Sequence, residues 1–256
     1  MRPLFAFASL IFGLAWLPLT AIPCGIQLDG FCYTTDHFWN RQGHLRPAHN
    51  HLDFTGVNLW LSAKPLCNLQ LDLTTAWQNA AESLNGTSRG LADIELSGTT
   101  HLCSLGEGDF FAQGVLIIPS GREKEMIRYG CWGGEFDFLY TYPIRFCRIE
   151  TSLGFRGYGG GPSDLVRGVV RAHFFAYKAL NFRLAAELDY GLFNGKKGRH
   201  PNALLYNPNY RLLNLEGILY YNFWRGCCLN GGGFYHVWGE NIGNNGGIFG
   251  GVSCVF

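Results

Sequence analysis

Residues 181–192 read Asn-Phe-Arg-Leu-Ala-Ala-Glu-Leu-Asp-Tyr-Gly-Leu. Every second position, Phe182, Leu184, Ala186, Leu188, Tyr190 and Leu192, is apolar or aromatic. The interleaved set, Asn181, Arg183, Ala185, Glu187, Asp189 and Gly191, is polar, charged or small. Successive side chains of a strand point to opposite faces, so the stretch predicts a β-strand with one greasy and one wet face. At helical periodicity the Arg and the two acids would spread around the cylinder, which excludes that reading. The run is long for a soluble strand and, when tilted, long enough to cross a bilayer.

The same alternation recurs along the chain. It predicts strands over 25–33, 52–62, 68–78, 90–102, 110–118, 129–141, 145–156, 164–177, 181–192, 211–224 and 229–239. A last strand is marked by Ile248, Gly250, Val252, Cys254 and Phe256. Polar loops over 34–50, 79–89, 119–125, 157–163 and 194–209 take turns with tight connections at 63–66, near 142–143, at Lys178 and at 225–226. The count is about twelve, within about ten to fourteen, and the alternation of short and long connections is that of an up-and-down antiparallel transmembrane β-barrel. A soluble sandwich also alternates, but its apolar faces must meet each other and its connections need no such order.

Composition agrees with an all-β membrane protein. Of 256 residues, 35 are glycine, 15% are aromatic and only 15% are charged, which is poor in charge for a soluble domain. The net charge of +1 suggests no nucleic-acid partner. The one long apolar run is N-terminal: Arg2 followed by residues 3–19 has the basic start and apolar centre of a secretory signal. Residues 1–22 are therefore expected to be removed, with cleavage anywhere from Ala21 to Gly25, leaving 23–256 as a single barrel domain.

Export, the strand pattern and the terminal aromatic together resemble Gram-negative outer-membrane β-barrel proteins of the porin kind. The resemblance covers the whole chain through its strands, and its sharpest motif is the last ten or so residues. It implies an outer-membrane location, contact with outer-membrane lipid, and recognition of the last strand and Phe256 by the barrel assembly machinery.

If the apolar faces meet lipid, the polar faces line a lumen. Its acids come mainly from the earlier strands, Asp72, Asp93, Glu95, Glu135 and Asp137, and its bases from the middle ones, Arg148, Arg156, Arg167, Arg171 and Arg183, mixed with Glu150, Glu187, Asp189 and Glu216. An acidic wall facing a basic wall would set a transverse field across a narrow opening and tune permeation. The same groups could instead pair and plug the barrel, since buried charges must be compensated.

Other chemistry is thin. His37, His44, His49 and His51 share the first long loop with Asp36 and Asp53, but their spacing fits no standard metal site. Ser97 and His101 share one strand face, yet four positions put them about 13 Å apart, too far for proton transfer. No cofactor motif is found, and an enzyme is not expected; a membrane-embedded hydrolase is the alternative in that class.

Nine cysteines are many for such a barrel, and the odd number leaves at least one unpaired within the chain. Cys24, Cys67, Cys103, Cys147, Cys227, Cys228 and Cys254 fall at or near the short-turn ends of strands, and Cys32 and Cys131 toward the other rim. Adjacent Cys227 and Cys228 point to opposite faces. This usage resembles the cysteine-rich outer-membrane proteins of chlamydiae, and implies disulfide links to other cysteine-rich envelope proteins. The expected function is a narrow channel for small polar solutes with a mixed-charge lumen. The alternative is a structural or surface-adhesin barrel cross-linked into the envelope, without conductance.

Overall fold

The computed structural model describes residues 23–83, 86–120, 129–176, 179–195 and 208–256. The expected signal peptide at 1–22, the turn at Lys178 and most of the loops at 119–125 and 194–209 lie outside them. Every regular element among the described residues is a strand: β1 (Cys24–Trp39), β2 (Leu45–Leu66), β3 (Leu69–Glu82), β4 (Gly86–Leu91), β5 (Ile94–Leu105), β6 (Gly108–Ile118) and β7 (Gly133–Ile144). They continue as β8 (Cys147–Tyr158), β9 (Leu165–Phe175), β10 (Leu180–Gly191), β11 (Arg211–Trp224), β12 (Cys227–Glu240), β13 (Ile242–Gly243) and β14 (Gly246–Val255).

Each long strand pairs antiparallel with its neighbours in sequence, and β14 returns to pair with β1 along Gly25↔Val255 to Thr34↔Gly246. The sheet is thus a closed barrel of twelve strands, with β4 and β13 as short additions at one rim. β4 carries on where β5 stops: β3 pairs with β5 from Leu69 to Thr74 and with β4 from Trp77 to Glu82, and Ala92 N donates to Ala76 O across the break. Closure leaves no unpaired long edge, which is what a sheet in hydrocarbon requires.

The tight connections gather at one rim. Two-residue turns at Gly106-Glu107 and Arg225-Gly226 hold their glycines at φ 65° and 73°, the left-handed region that a short hairpin demands. Both ends of the described chain lie at this rim, where Phe256 N donates to Cys24 O at 2.8 Å. The longer connections gather at the opposite rim.

The apolar set of each strand faces outward. In β10 the alternation read from 181–192 holds throughout: Phe182, Leu184, Leu188 and Tyr190 are exposed, and Leu184 keeps 53% of its surface. Leu153, Phe136, Leu219 and Ile248 likewise stand free on the same wall. So continuous a belt of exposed apolar side chains is not a soluble surface, and the inner faces of the strands do not supply it with a partner. It faces lipid.

The first hairpin departs from the expected loop over 34–50. β1 reaches Trp39 and β2 starts at Leu45, so most of that segment is strand, joined by residues 40–44. β2, at 22 residues, would be about 75 Å long if fully extended, far more than a tilted bilayer crossing needs. Polarity inverts along it. Val57, Leu59 and Leu61 share the outer face nearer the membrane, whereas His49, His51 and Asp53 occupy it above and are exposed. Inside, Leu52 and Phe54 are buried with Ala80, and Phe31, Tyr33, Phe38 and Ala48 pack against them. Water has replaced lipid as the outer solvent there, so the hairpin folds like a soluble protein. That inversion made the segment read as a polar loop. The tight turn expected at 63–66 is also displaced: β2 continues to Leu66 across a register shift after Ala63, and residues 67–68 make the turn.

Candidate functional site: a charged lumen

Strand parity fixes what lines the interior. Register pairs Glu135 with Arg156, Arg167 with Asp189, Glu150 with Arg171 and Arg183 with His173, all on the inner face. The acids and bases expected on opposed walls are therefore neighbours. Arg156 Nη1 lies 2.9 Å from Glu95 Oε1, and its Nε bonds Glu135. Arg167 Nη1 lies 2.9 Å from Glu135 Oε1, its Nε 2.8 Å from Asp189 Oδ1, and its Nη2 bonds Glu187. Arg171 bonds Glu150, and Arg183 Nη2 lies 2.7 Å from Glu216 Oε1. A belt of ion pairs thus crosses β5, β7, β8, β9, β10 and β11. The segregated transverse field gives way to interleaved charge because adjacent strands carry opposite signs in register, and in a low-dielectric interior close pairing wins over separation.

The remaining expected lumen residues take their own places. Asp137 is buried two positions from Glu135, over Gly154, where any larger side chain would collide with its carboxylate. Asp72 accepts from Gln70 Nε2 at 3.0 Å. Asp93 sits at the break between β4 and β5 and accepts from the backbone N–H of Ser120 and of Gly130, both at 3.3 Å. Arg148 lies opposite His173 in the register.

Two cavities meet at this belt. The larger, about 460 Å³, lies toward the long-loop rim, with Tyr33, Tyr158, Tyr210, Phe234, His236 and Asn245 in its lining. The smaller, about 220 Å³, lies toward the tight-turn rim and is lined by Trp60, Asp72, Ser97, Gln113, Glu135 and Arg167 among others. Thr74, Glu95 and Arg156 line both. The Glu95–Arg156 pair is the partition between them. A third space of about 120 Å³ lies between Arg171, Arg183, Asn214 and Glu216.

The aromatic part of the lining was not foreseen. Tyr158 ends β8 in a stretch read as loop, Tyr210 stands just before β11 between the loop read at 194–209 and the strand read from 211, and Tyr33 closes a strand read as short. The parity of β1 and β12, which turns Tyr33 and Phe234 inward, was the available signal. Tyr210 donates to Asp189 Oδ2 at 3.0 Å and so ties the large cavity to the ion-pair belt.

The other candidates separate. Ser97 and His101 are both inward on β5, but His101 Nε2 lies 3.1 Å from Asp109, whose other side-chain donor is Ser104 at 2.7 Å; among the described residues no hydroxyl is hydrogen-bonded to the imidazole. His37 bonds Asp36 at 2.6 Å and His51 bonds Asp53 at 3.2 Å on the outside of the first hairpin, with no third ligand converging among the described residues. The expected cysteine rim is partly closed within the chain: Cys227 and Cys254, opposite each other in the register of β12 and β14, form a disulfide. Cys228 turns inward, its thiol donating to Leu229 O at 3.1 Å. Cys67 and Cys103 are exposed and Cys147 is buried. Cys32 is exposed on the outer wall, opposite Thr55 and Ile248 in the register and so near the level where polarity inverts along β2.

No protein-family model matches the sequence, and no curated protein matches it. Solved structures do match the fold. The COG4313 outer membrane channel from Pseudomonas putida F1 superimposes with a TM-score of 0.76 at 13% identity, over 92% of this chain and 95% of that one. The NanC porin gives 0.56 at 9% identity, over 89% and 98%. The translocator domain of the autotransporter NalP from Neisseria meningitidis gives 0.50 at 13% identity, over 98% and 97%. At such identities the likeness is one of fold. With the apolar belt, it makes this chain a bacterial outer-membrane β-barrel.

Proposed function

We propose that the barrel is a narrow channel for small polar solutes, with its mixed-charge lumen as the selective passage. The observation that carries this reading is the pair of cavities, one toward each rim, whose linings share Glu95, Arg156 and Thr74. A solute would enter the larger from the loop side and pass when Arg156 swings from Glu95 onto Glu135, its other partner. The guanidinium keeps Glu135 throughout, and the carboxylate it releases, Glu95, is the more exposed of the two, so the buried one is never left bare. Similarity to structures described as an outer membrane channel and a porin agrees with it. The test is conductance of the purified, folded protein in planar bilayers. Discrete current steps that change on Glu95→Gln are expected; a silent membrane carrying heat-modifiable protein refutes the channel.

A second reading draws on the exposed thiols Cys67 and Cys103 at the tight-turn rim. In it the barrel is linked by disulfides to other cysteine-rich proteins of the periplasmic side. Non-reducing gels of envelopes test this directly: multimers should collapse with reductant and be absent in a Cys67→Ser/Cys103→Ser variant. The Cys227–Cys254 bond is internal and leaves the band size unchanged.

A further inference from the structure

We propose that the large cavity at the loop side binds small organic ammonium ions, meaning a protonated amine carried on a compact apolar or aromatic body. This deepens the channel reading above by naming the class of solute, though the site can be tested without any current.

The first argument is the sign of the hydrogen-bonding capacity left over. Asn245 is 1% exposed, lines the cavity, and its Oδ1 has no hydrogen-bond partner. A buried carbonyl oxygen without a donor is costly, so the site asks for an N–H or O–H. His236, also buried and in the lining, has Nδ1 3.0 Å from the carbonyl oxygen of Gly243. Nδ1 also lies 3.4 Å from the backbone N of Asn245, the longer of its two contacts; in the tautomer that donates to the Gly243 carbonyl, Nε2 is left as an acceptor. In that tautomer both groups can take a donor.

The aromatic walls point the same way. Tyr33 and Phe234 meet edge to face with centroids 5.4 Å apart, and Tyr129 and Tyr158 make a second pair, also at 5.4 Å. Both pairs line the one cavity. An aromatic face carries negative charge, which attracts cations and gives an anion nothing.

Net charge makes the third argument. The one arginine in the described lining, Arg156, is committed to Glu95 and Glu135. Around it, the guanidiniums of Arg156 and Arg167 face the four carboxylates of Glu95, Glu135, Glu187 and Asp189. The cluster therefore holds an excess of two negative charges, just below the aromatic walls. A carboxylate solute would meet acceptors, π faces and surplus acid; an ammonium would be complementary to all three. An uncharged sugar or alcohol could use Asn245 and His236 but would draw nothing from the charge.

The test uses the full mature chain folded in detergent micelles, titrated calorimetrically with benzylammonium, benzyl alcohol and benzoate, which share one ring and differ in charge. Benzylammonium should bind at least roughly tenfold more tightly than benzoate, with the alcohol between them. Glu95→Gln and Tyr129→Ala, the second outside the strand ladder, should each erase most of that preference while the barrel still shifts on heating. Benzoate binding as tightly as benzylammonium, no saturable binding by any probe, or a preference unchanged in both variants would each overturn the proposal. In bilayers the two ideas part company. Current steps without ammonium preference would refute this site and leave the channel; saturable ammonium binding without steps would refute the channel and leave the site.

Discussion

Arg156 on β8 reaches Glu95 on β5, three strands around the wall, with Nη1 and Oε1 2.9 Å apart. Most ion pairs in the barrel join adjacent strands and stabilise the wall. This one spans the interior and narrows it. Arg156→Met should therefore raise single-channel conductance, about twofold or more, by removing the partition between the cavities. An unchanged conductance would mean that the constriction lies elsewhere.

Arg167 has the opposite character. It serves Glu135, Glu187 and Asp189 together, and its loss strands carboxylates in the interior. Arg167→Met should lower the unfolding free energy by about 3–5 kcal/mol, measured by urea titration of the barrel in lipid vesicles. A loss below about 1 kcal/mol, the size of a surface pair, would mean that water reaches the belt freely.

Leu184 and Ala185 test which face meets hydrocarbon. Leu184 is exposed near the middle of β10, and Ala185 faces the small space beside Arg171 and Arg183. Leu184→Arg should cost about 2–4 kcal/mol in vesicles, as for arginine on a lipid-facing wall. Ala185→Ser should stay within about 0.5 kcal/mol of the parent.

These strands were legible for the reason that Leu184 and Ala185 illustrate: between lipid and lumen each residue has one neighbouring solvent, so polarity tracks parity. Legibility fails where that condition fails. At Leu52 and Phe54 the interior is apolar and the exterior wet, and the period survives with its sign reversed. The lumen's charged members could be listed from parity alone, but not their partners. Which carboxylate Arg156 takes depends on how the wall curves, and curvature leaves no mark in a one-dimensional pattern. Of the five aromatic side chains in the described lining, Tyr129 and Tyr210 sit outside the observed strands, Tyr129 despite being read as the start of one, so parity could not say which way they point.

Gly56 gives a packing test. A Cβ there would fall 2.5 Å from the Phe31 ring and 2.6 Å from the Trp77 carbonyl oxygen, whereas at Gly114 it would meet nothing within 4 Å. Gly56→Ala should reduce the yield of heat-modifiable barrel severalfold, with a destabilisation of about 1–3 kcal/mol from overpacking. Gly114→Ala should fold like the parent.

Phe256 is 78% exposed, and its ring contributes little to packing, although its backbone N–H bonds Cys24. If the terminal aromatic is a recognition element, deleting it should lower the amount of barrel assembled in cells while refolding of the purified chain into detergent proceeds at its normal yield. Equal losses in both settings would assign Phe256 to stability instead.

The inversion within β2 has a geographical meaning. Asp53 and Val57 point to the same side of one strand, four residues apart, yet one belongs to water and the other to acyl chains. The outer waterline of the membrane must cut the strand between them. The first hairpin therefore stands clear of the acyl chains as a piece of folded wall with its own small core, offering His49, His51 and Asp53 to whatever the water on that side contains.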